Sequence, residues 1–234
     1  MTVDPFGRAI RDYYWGNQDE PLIDRDGEET REHSIEQWYL GEHEPAAWRD
    51  SWMKGPLLDM GAGAGRDALY YQDRFDTVAI DVSDHLVTTM DERGVTDARR
   101  VDMFALRDAF ERDRFESAFA LGTQVGLAGS MHGLRTFLAN LASVTTSAAT
   151  AVLDCYDPTA EKTTTLLGYR PDQTPGLAYR VMQFEYEGDL GKPLLFRLFS
   201  PDRIREATIG TEWAVGEVRR GAEPHHYRIA LQKQ

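Results

Sequence analysis

The stretch Leu57-Leu58-Asp59-Met60-Gly61-Ala62-Gly63-Ala64-Gly65 decides how this chain is read. Pro56 to Met60 is a short apolar run between glycines, too brief for a helix, and it predicts a buried strand. Glycines follow at 61, 63 and 65, and Arg66-Asp67-Ala68-Leu69-Tyr70-Tyr71 predicts the first turns of a helix. Strand, glycine turn and helix in that order carry backbone N–H groups up to a ligand. A Cβ there would hold the ligand away and would resist a turn with positive φ, so glycine serves both needs. The pattern is that of a nucleotide-cradling loop.

The residues beside the glycines narrow the choice of nucleotide. A P-loop ends in Gly-Lys-Ser/Thr, whereas Gly65 is followed by Arg66-Asp67. A G-x-G-x-x-G dinucleotide fingerprint needs its third glycine at position 66, which is Arg. Asp59 and Asp67 also make the loop negative, which opposes a pyrophosphate. An acidic residue followed by G-x-G-x-G resembles the first motif of the class I S-adenosylmethionine-dependent methyltransferases. Their cofactor carries no phosphate but an α-amino group and a sulfonium, both attracted to a nearby carboxylate.

Further along, Asp76-Thr77-Val78-Ala79-Ile80-Asp81 predicts a second buried strand ending in an acid. A carboxylate at that tip is placed to accept both ribose hydroxyls, a geometry that serves any adenosine ligand. Ser83 caps a helix running to Arg93, with Gly94 as its stop. Arg99 to Phe104 predicts a third strand and a loop, and Phe115 to Leu121 a fourth strand that breaks at Gly122. Leu134, Phe137, Leu138, Leu141 and Val144 recur at helical spacing. Thr150 to Asp154 predicts the fifth strand, so Asp154 and Tyr156 are candidates to reach the pocket. Residues 157–178 read as an excursion. Met182, Phe184 and Tyr186 alternate with polar neighbours, and Leu194 to Phe199 follows a glycine turn, which predicts an antiparallel hairpin. Ser200-Pro201 starts a helix, and Trp213 to Arg219 and His226 to Leu231 close the chain as two strands.

Residues 1–55 mix aromatics with carboxylates. Asp4 to Trp15 predicts a short helix, Asn17 to Glu32 a loop, and Arg31, Glu32 and His33 ordinary surface charges. Tyr13, Tyr14 and Trp15 are candidates for a lid. His132 could act as a base, though a histidine at a helix start is more often structural. Cys155, the sole cysteine, reads as a small buried thiol. His225-His226 has no companion ligands, so no metal is expected.

Composition sets outer limits. With 41% apolar residues, 234 residues can bury one sizeable core. No apolar run approaches the roughly 20 residues of a membrane span. Met1-Thr2-Val3-Asp4-Pro5 lacks the basic and apolar regions of a signal peptide, and a single cysteine forms no internal disulfide, so a cytoplasmic location is expected. The net charge is −13, yet the lysines number only four: Lys54, Lys162, Lys192 and Lys233. Many carboxylates with few lysines suggest a halophilic surface. No basic patch is visible, which argues against nucleic acid.

The resemblance covers residues 56–155 firmly and the two closing strands loosely. It implies a doubly wound α/β fold with a seven-stranded, mostly parallel sheet in the order 3-2-1-4-5-7-6. The hairpin would be inserted after strand 5. Residues 1–55 would form a cap, 56–234 the cofactor domain, and 157–199 an excursion on the substrate side. The cofactor implied is S-adenosyl-L-methionine, held by Asp59, Gly61, Ala62, Gly63, Gly65, Asp81, Val82, Asp102, Met103, Leu121 and Gly122. Within that set Asp102 would bond the adenine amino group and Met103 would cover the ring. The chemistry implied is in-line methyl transfer to a small-molecule acceptor by a monomer or homodimer. Such transfer needs alignment more than a strong base, so no catalytic residue is named. An aminopropyl transferase and a non-catalytic cofactor-binding subunit are the alternatives.

Overall fold

In a computed structural model the described residues are 3–43, 46–221 and 223–234. Met1 and Thr2, read above with their neighbours for signal-peptide character, lie outside them. Helix α1 (Pro5–Tyr14) starts where Asp4 accepts the Gly7 N–H at 2.9 Å and proline takes the first helical position. It buries Pro5, Gly7, Ala9 and Ile10. The next segment departs from the loop expected at 17–32. Strands β1 (Ile23–Asp26) and β2 (Glu29–Glu32) form a hairpin whose tight turn holds Gly27 at φ +60°. Their residues are almost all charged, so no apolar alternation betrays them. What orders them is pairing with a distant strand, described below. A π-helical turn spans Glu36–Leu40, and the short helix α2 (Ala47–Asp50) follows.

The central layer begins at β3 (Leu57–Met60), buried along its whole length as a strand covered on both faces must be. Helix α3 (Arg66–Tyr71), β4 (Thr77–Asp81), α4 (Asp84–Arg93) and β5 (Ala98–Arg100) follow in alternation. Ser83 caps α4 and Gly94, at φ +92°, stops it. Then come α5 (Leu106–Ala109), β6 (Phe115–Ala120), α6 (Met131–Val144) and the long β7 (Thr145–Tyr156). Strands β8 (Tyr169–Pro171), β9 (Leu177–Tyr186), β10 (Asp189–Leu190) and β11 (Leu194–Phe199) make the excursion. Helix α7 (Pro201–Thr208), β12 (Trp213–Arg220) and β13 (His226–Lys233) complete the chain.

Two sheets result. In the seven-stranded sheet the order is β12-β13-β7-β6-β3-β4-β5; numbered within that sheet alone it reads 6-7-5-4-1-2-3. The five strands from β5 to β7 are parallel, while β13 runs antiparallel to both β7 and β12. The second sheet is antiparallel and centres on β9, which pairs with β1, β8, β10 and β11. Residues 23–32 and 169–199, far apart in the chain, thus share one cap sheet. Its base is rooted in the main core, where Leu177, Ala178, Leu198 and Phe199 are buried with β7 and α6 residues. A second, smaller cluster of Ala9, Ile10, Leu22, Ile35, Ala64, Leu86 and Tyr186 joins the cap to the glycine turn.

Candidate functional site

The site lies where β3, β4 and β6 end and the cap sheet begins. Gly61, Gly63 and Gly65 have φ of +69°, +58° and +77°, values that L side chains rarely adopt. A side chain on Gly61 would start 2.8 Å from Gln124, and one on Gly63 would start 3.0 Å from the ring of Tyr39. Gly65 differs: its missing side chain makes room for Met90 and Val95, so its task is packing of α4 on the turn. The amides of Gly61 and Ala62 donate to the Ile80 carbonyl and tie the turn to β4.

Asp81 ends β4 beside this turn. Its carboxylate accepts the Gly63 N–H at 3.1 Å and the Ser83 N–H at 3.0 Å. Burial raises its pKa to about 6, although the amides of Ser83 and Gly63 pull it down; Asp4 of the cap adds a smaller upward push. Asp4 also accepts the hydroxyl hydrogen of Ser83, so the start of α1 rests on the start of α4.

Asp59 is 3% exposed, and its Oδ2 has no hydrogen-bond partner. Burial, then repulsion from Asp67, pushes its pKa well above the ordinary range, against a smaller pull from Arg49. Asp67 is treated oppositely by its surroundings. Burial would raise it too, but His43 at 2.8 Å and Arg49 at 3.0 Å, with Arg66 beyond, hold it below the usual carboxylate range. Asp67 Oδ1 also lacks a hydrogen-bond partner but has His43 and Arg49 beside it, whereas Asp59 Oδ2 has neither a hydrogen-bond partner nor an ion pair. An unpartnered acceptor of this kind suits a cationic amine, as the glycine turn suits close backbone approach.

The other expected residues are distributed unevenly. Val82 is exposed beside Asp81. Asp102 is exposed just past β5, its Oδ1 accepting the Phe104 N–H, while Met103 is buried. Leu121 is half-buried, and the Gly122 N–H donates to Asp154 at 3.1 Å. Asp154 also takes the Thr123 N–H at 2.6 Å and faces His226 at 3.2 Å, so its carboxylate holds the turn after β6 in place. Tyr156, at the end of β7, is half-buried and stacks on His225. His132 is exposed in the first turn of α6. The Cys155 thiol is fully buried, and burial pushes its pKa up to about 12. Among the described residues no cluster of His, Cys, Asp or Glu could hold a metal ion, and no helix is long and apolar enough to cross a membrane.

No family model matches the sequence, and no curated protein matches it. Solved structures do resemble it. A Bacteroides fragilis S-adenosylmethionine-dependent methyltransferase in complex with S-adenosylhomocysteine aligns with a TM-score of 0.80 at 22% identity, over 98% of this chain and 94% of that one. A sugar N-methyltransferase from a Streptoalloteichus species aligns at 0.57 and 14%, over 76% and 79% of the two chains. A Burkholderia thailandensis 1,6-didemethyltoxoflavin-N1-methyltransferase with bound 1,6-didemethyltoxoflavin and S-adenosylhomocysteine aligns at 0.51 and 16%, over 76% and 70%. The chain shares the fold of S-adenosylmethionine-dependent methyltransferases.

Within this methyltransferase fold the aromatic over the glycine turn is not the one expected. Tyr14 donates to the Glu92 carbonyl and Trp15 to the Glu92 carboxylate at 2.6 Å, so both fasten α1 to the end of α4. Tyr39 is the residue that reaches the turn. Its carbonyl and that of Ala64 both accept from Arg93, and Arg66 donates to the Gln37 carbonyl, so the π-helical turn is bolted onto the glycine loop. Trp38-Tyr39 stands out in the sequence as an aromatic pair, but nothing in its spacing says which of the N-terminal aromatics faces the loop. His33, read as a surface charge, is half-buried and bonded on both ring nitrogens.

Proposed function

We propose that this protein is an S-adenosylmethionine-dependent methyltransferase acting on a small-molecule acceptor. The observation that carries the reading is the unpartnered, buried Oδ2 of Asp59 beside a glycine turn whose Gly63 amide is already bound to Asp81. In this reading Asp59 receives the α-amino group of the cofactor, and Gly61, Ala62 and Gly63 give its backbone approach. Gly65 supports the turn through its packing. Asp81 accepts the ribose hydroxyls with Val82 beside it, and Asp102 and Met103 flank the adenine. Leu121 and Gly122 border the acceptor side. When bound, the cofactor supplies a methyl group on a cationic sulfur.

The chain's own contribution is placement and exclusion of water. Asp59 and Asp81 offer acceptors beside the turn, which suits a ligand that brings an ammonium group and hydroxyls. Opposite it, Phe6 of α1, Tyr39 of the π-helical turn and Phe184 of β9 pack on the cluster that joins the cap to the glycine turn. The neighbours named above that act on a sugar or on 1,6-didemethyltoxoflavin support a small acceptor.

Calorimetry of the purified protein with S-adenosylhomocysteine and with NAD tests the reading. Heat with S-adenosylhomocysteine and none with NAD is expected. Tight NAD binding without heat from S-adenosylhomocysteine would end it.

A further inference from the structure

One face of the cap sheet spans the site from end to end. Alternation along β9 puts Arg180, Met182 and Phe184 on that face. Register adds Asp24 of β1, opposite Phe184, and Phe196 of β11, opposite Arg180. Contacts place the two ends of the row. Phe184 packs on Phe6, whose ring meets Tyr39, the ring that a side chain on Gly63 would touch. Phe196 lies on the turn after β6, where a side chain on Gly126 would start 3.3 Å from the Phe196 Cβ. The row thus runs from above the glycine turn to above the turn after β6.

Arg180 puts the one positive charge into this row. Its Nε donates to the Leu167 carbonyl at 2.9 Å, and its Nη2 lies 3.3 Å from Asp24 Oδ2. Its Nη1 has no partner among the described residues, and 18% of the side chain is exposed. Asp24 is shared, since its other oxygen lies 2.9 Å from His33 Nδ1. The arginines around the glycine turn are taken up otherwise: Arg49 by Tyr71 and Asp67, Arg66 by the Gln37 carbonyl and Asp67, Arg93 by the carbonyls of Tyr39 and Ala64. Arg180 is therefore clamped along one edge, and its Nη1 and Nη2 hydrogens form an end-on fork that matches a carboxylate. A wall that only excluded water would be apolar here, as it is at Met182 and Phe184, because one long ion pair does not offset the desolvation of a guanidinium.

The fork belongs to the acceptor side. In the methyltransferase reading, adenosine takes the β4 and β5 side of the glycine turn, so an acceptor approaches from β6 and β7. Phe196 marks the turn after β6, and Tyr156 ends β7. The Arg180 charge is felt there: burial raises the Tyr156 pKa, and Arg180 pulls it down. We infer that Arg180 binds a carboxylate carried by the methyl acceptor, so that the substrate is a small organic acid and Arg180 sets that specificity. The inference rests on the methyltransferase reading. Asp24 and the Leu167 carbonyl hold the guanidinium plane before the acid arrives, which lowers the ordering cost of binding. The rings of Phe196 and Tyr156 on this side suit a planar apolar frame behind the carboxylate.

NMR titrations of S-adenosylhomocysteine-saturated protein test it, with meta-hydroxybenzoate and meta-aminobenzoate set against the matching amides. At least one acid should bind about tenfold or more tightly than its amide. Arg180→Met should weaken that acid by about 10- to 100-fold and leave the amide within about threefold. Arg180→Lys keeps a charge against Asp24 but loses the fork, and should weaken the acid by about tenfold. It decides the matter should Arg180→Met fail to fold. Both variants should keep S-adenosylhomocysteine affinity within about threefold of the parent. Amides that bind as tightly as acids, no binding by either acid, or an acid affinity unchanged in the folded variants would each overturn the inference. So would a loss of about tenfold in S-adenosylhomocysteine affinity, since the guanidinium would then serve the cofactor. Absence of S-adenosylhomocysteine binding by the parent would instead overturn the methyltransferase reading beneath it.

Discussion

The two sheets of this molecule are built on opposite terms. In the central sheet β3 is buried at every residue and β4 at all but its last, and these two pair with each other across a single helix of the chain. In the cap sheet β2 is exposed throughout, β1 carries three charged residues of four, and β1 finds its partner β9 about 160 positions later. The first sheet is held by apolar burial, whereas the β1 and β2 part of the second is held by backbone pairing and by charges such as Arg25–Glu185, Asp24–Arg180 and Asp26–Arg170. The central sheet presents the glycine turn and its carboxylates, and the cap brings Tyr39 and His33 to them. One scaffold is fixed by local sequence and the other by what that scaffold allows to dock.

The sharpest way to break the contrast is at the contact between the two. Gly63→Val puts a β-branched residue at φ +58° and against the Tyr39 ring. It should weaken S-adenosylhomocysteine binding by about 100-fold or more, measured calorimetrically, while circular dichroism stays that of the parent. Within the cap, Phe184→Ala removes the ring that packs, tilted by 32°, with its centroid 4.4 Å from that of Phe6. A local loss of about 3 kcal/mol is expected, read as faster hydrogen exchange of β1 and β9 amides with β3 and β4 amides unchanged. Equal loss in both sheets would mean that they unfold as one unit.

Smaller effects sharpen the comparison on the central side. Asp81→Ala should cost about 10- to 100-fold in S-adenosylhomocysteine affinity, since one or two hydrogen bonds to a charged acceptor disappear. The pH dependence follows from the raised pKa of about 6. Burial favours the protonated acid in the folded chain, so the free protein loses stability as pH rises from about 4 to about 6 and is level above that. The ligand needs the ionised form, so affinity should fall by up to about tenfold per pH unit below 6 and be flat at higher pH. Arg170→Ala, which removes an exposed pair with Asp26, should cost less than about 1 kcal/mol. Raising KCl to molar levels is expected to lift the melting temperature of a chain of net charge −13 by screening its self-repulsion.

Legibility in the sequence tracks the same division. Leu57 to Met60, the glycines at 61, 63 and 65, and the acid ending β4 are neighbours in sequence and in space, so their spacing carries their geometry. Ser83, Gly94 and Ser200-Pro201 mark helix ends by side-chain chemistry that acts within one turn. Nothing comparable marks β1 and β2. Asp24, Arg25, Glu29 and Arg31 have low strand propensity, and they are strands because β9 offers them an edge. Tyr39 and His33 escaped for a related reason: their importance lies in facing Gly63 and Asp24, and neither contact leaves a local pattern. Asp154 illustrates the converse. Its position at a strand end suggested the pocket, but two backbone amides of the turn after β6 claim its carboxylate.

The long span between β1 and β9 also shapes how the chain comes into being. During synthesis the first forty residues emerge well before β9 exists, and the central strands can assemble meanwhile. The hairpin must wait for its edge, and its strands of Asp24, Arg25, Asp26, Glu29, Thr30, Arg31 and Glu32 are suited to waiting: an unpaired strand this heavily charged is a poor template for association with other chains. Closing so long a loop is slow relative to building neighbouring strands. The β1–β9 side of the cap is thus completed only after the strands that carry the glycine turn and Asp81 have been made.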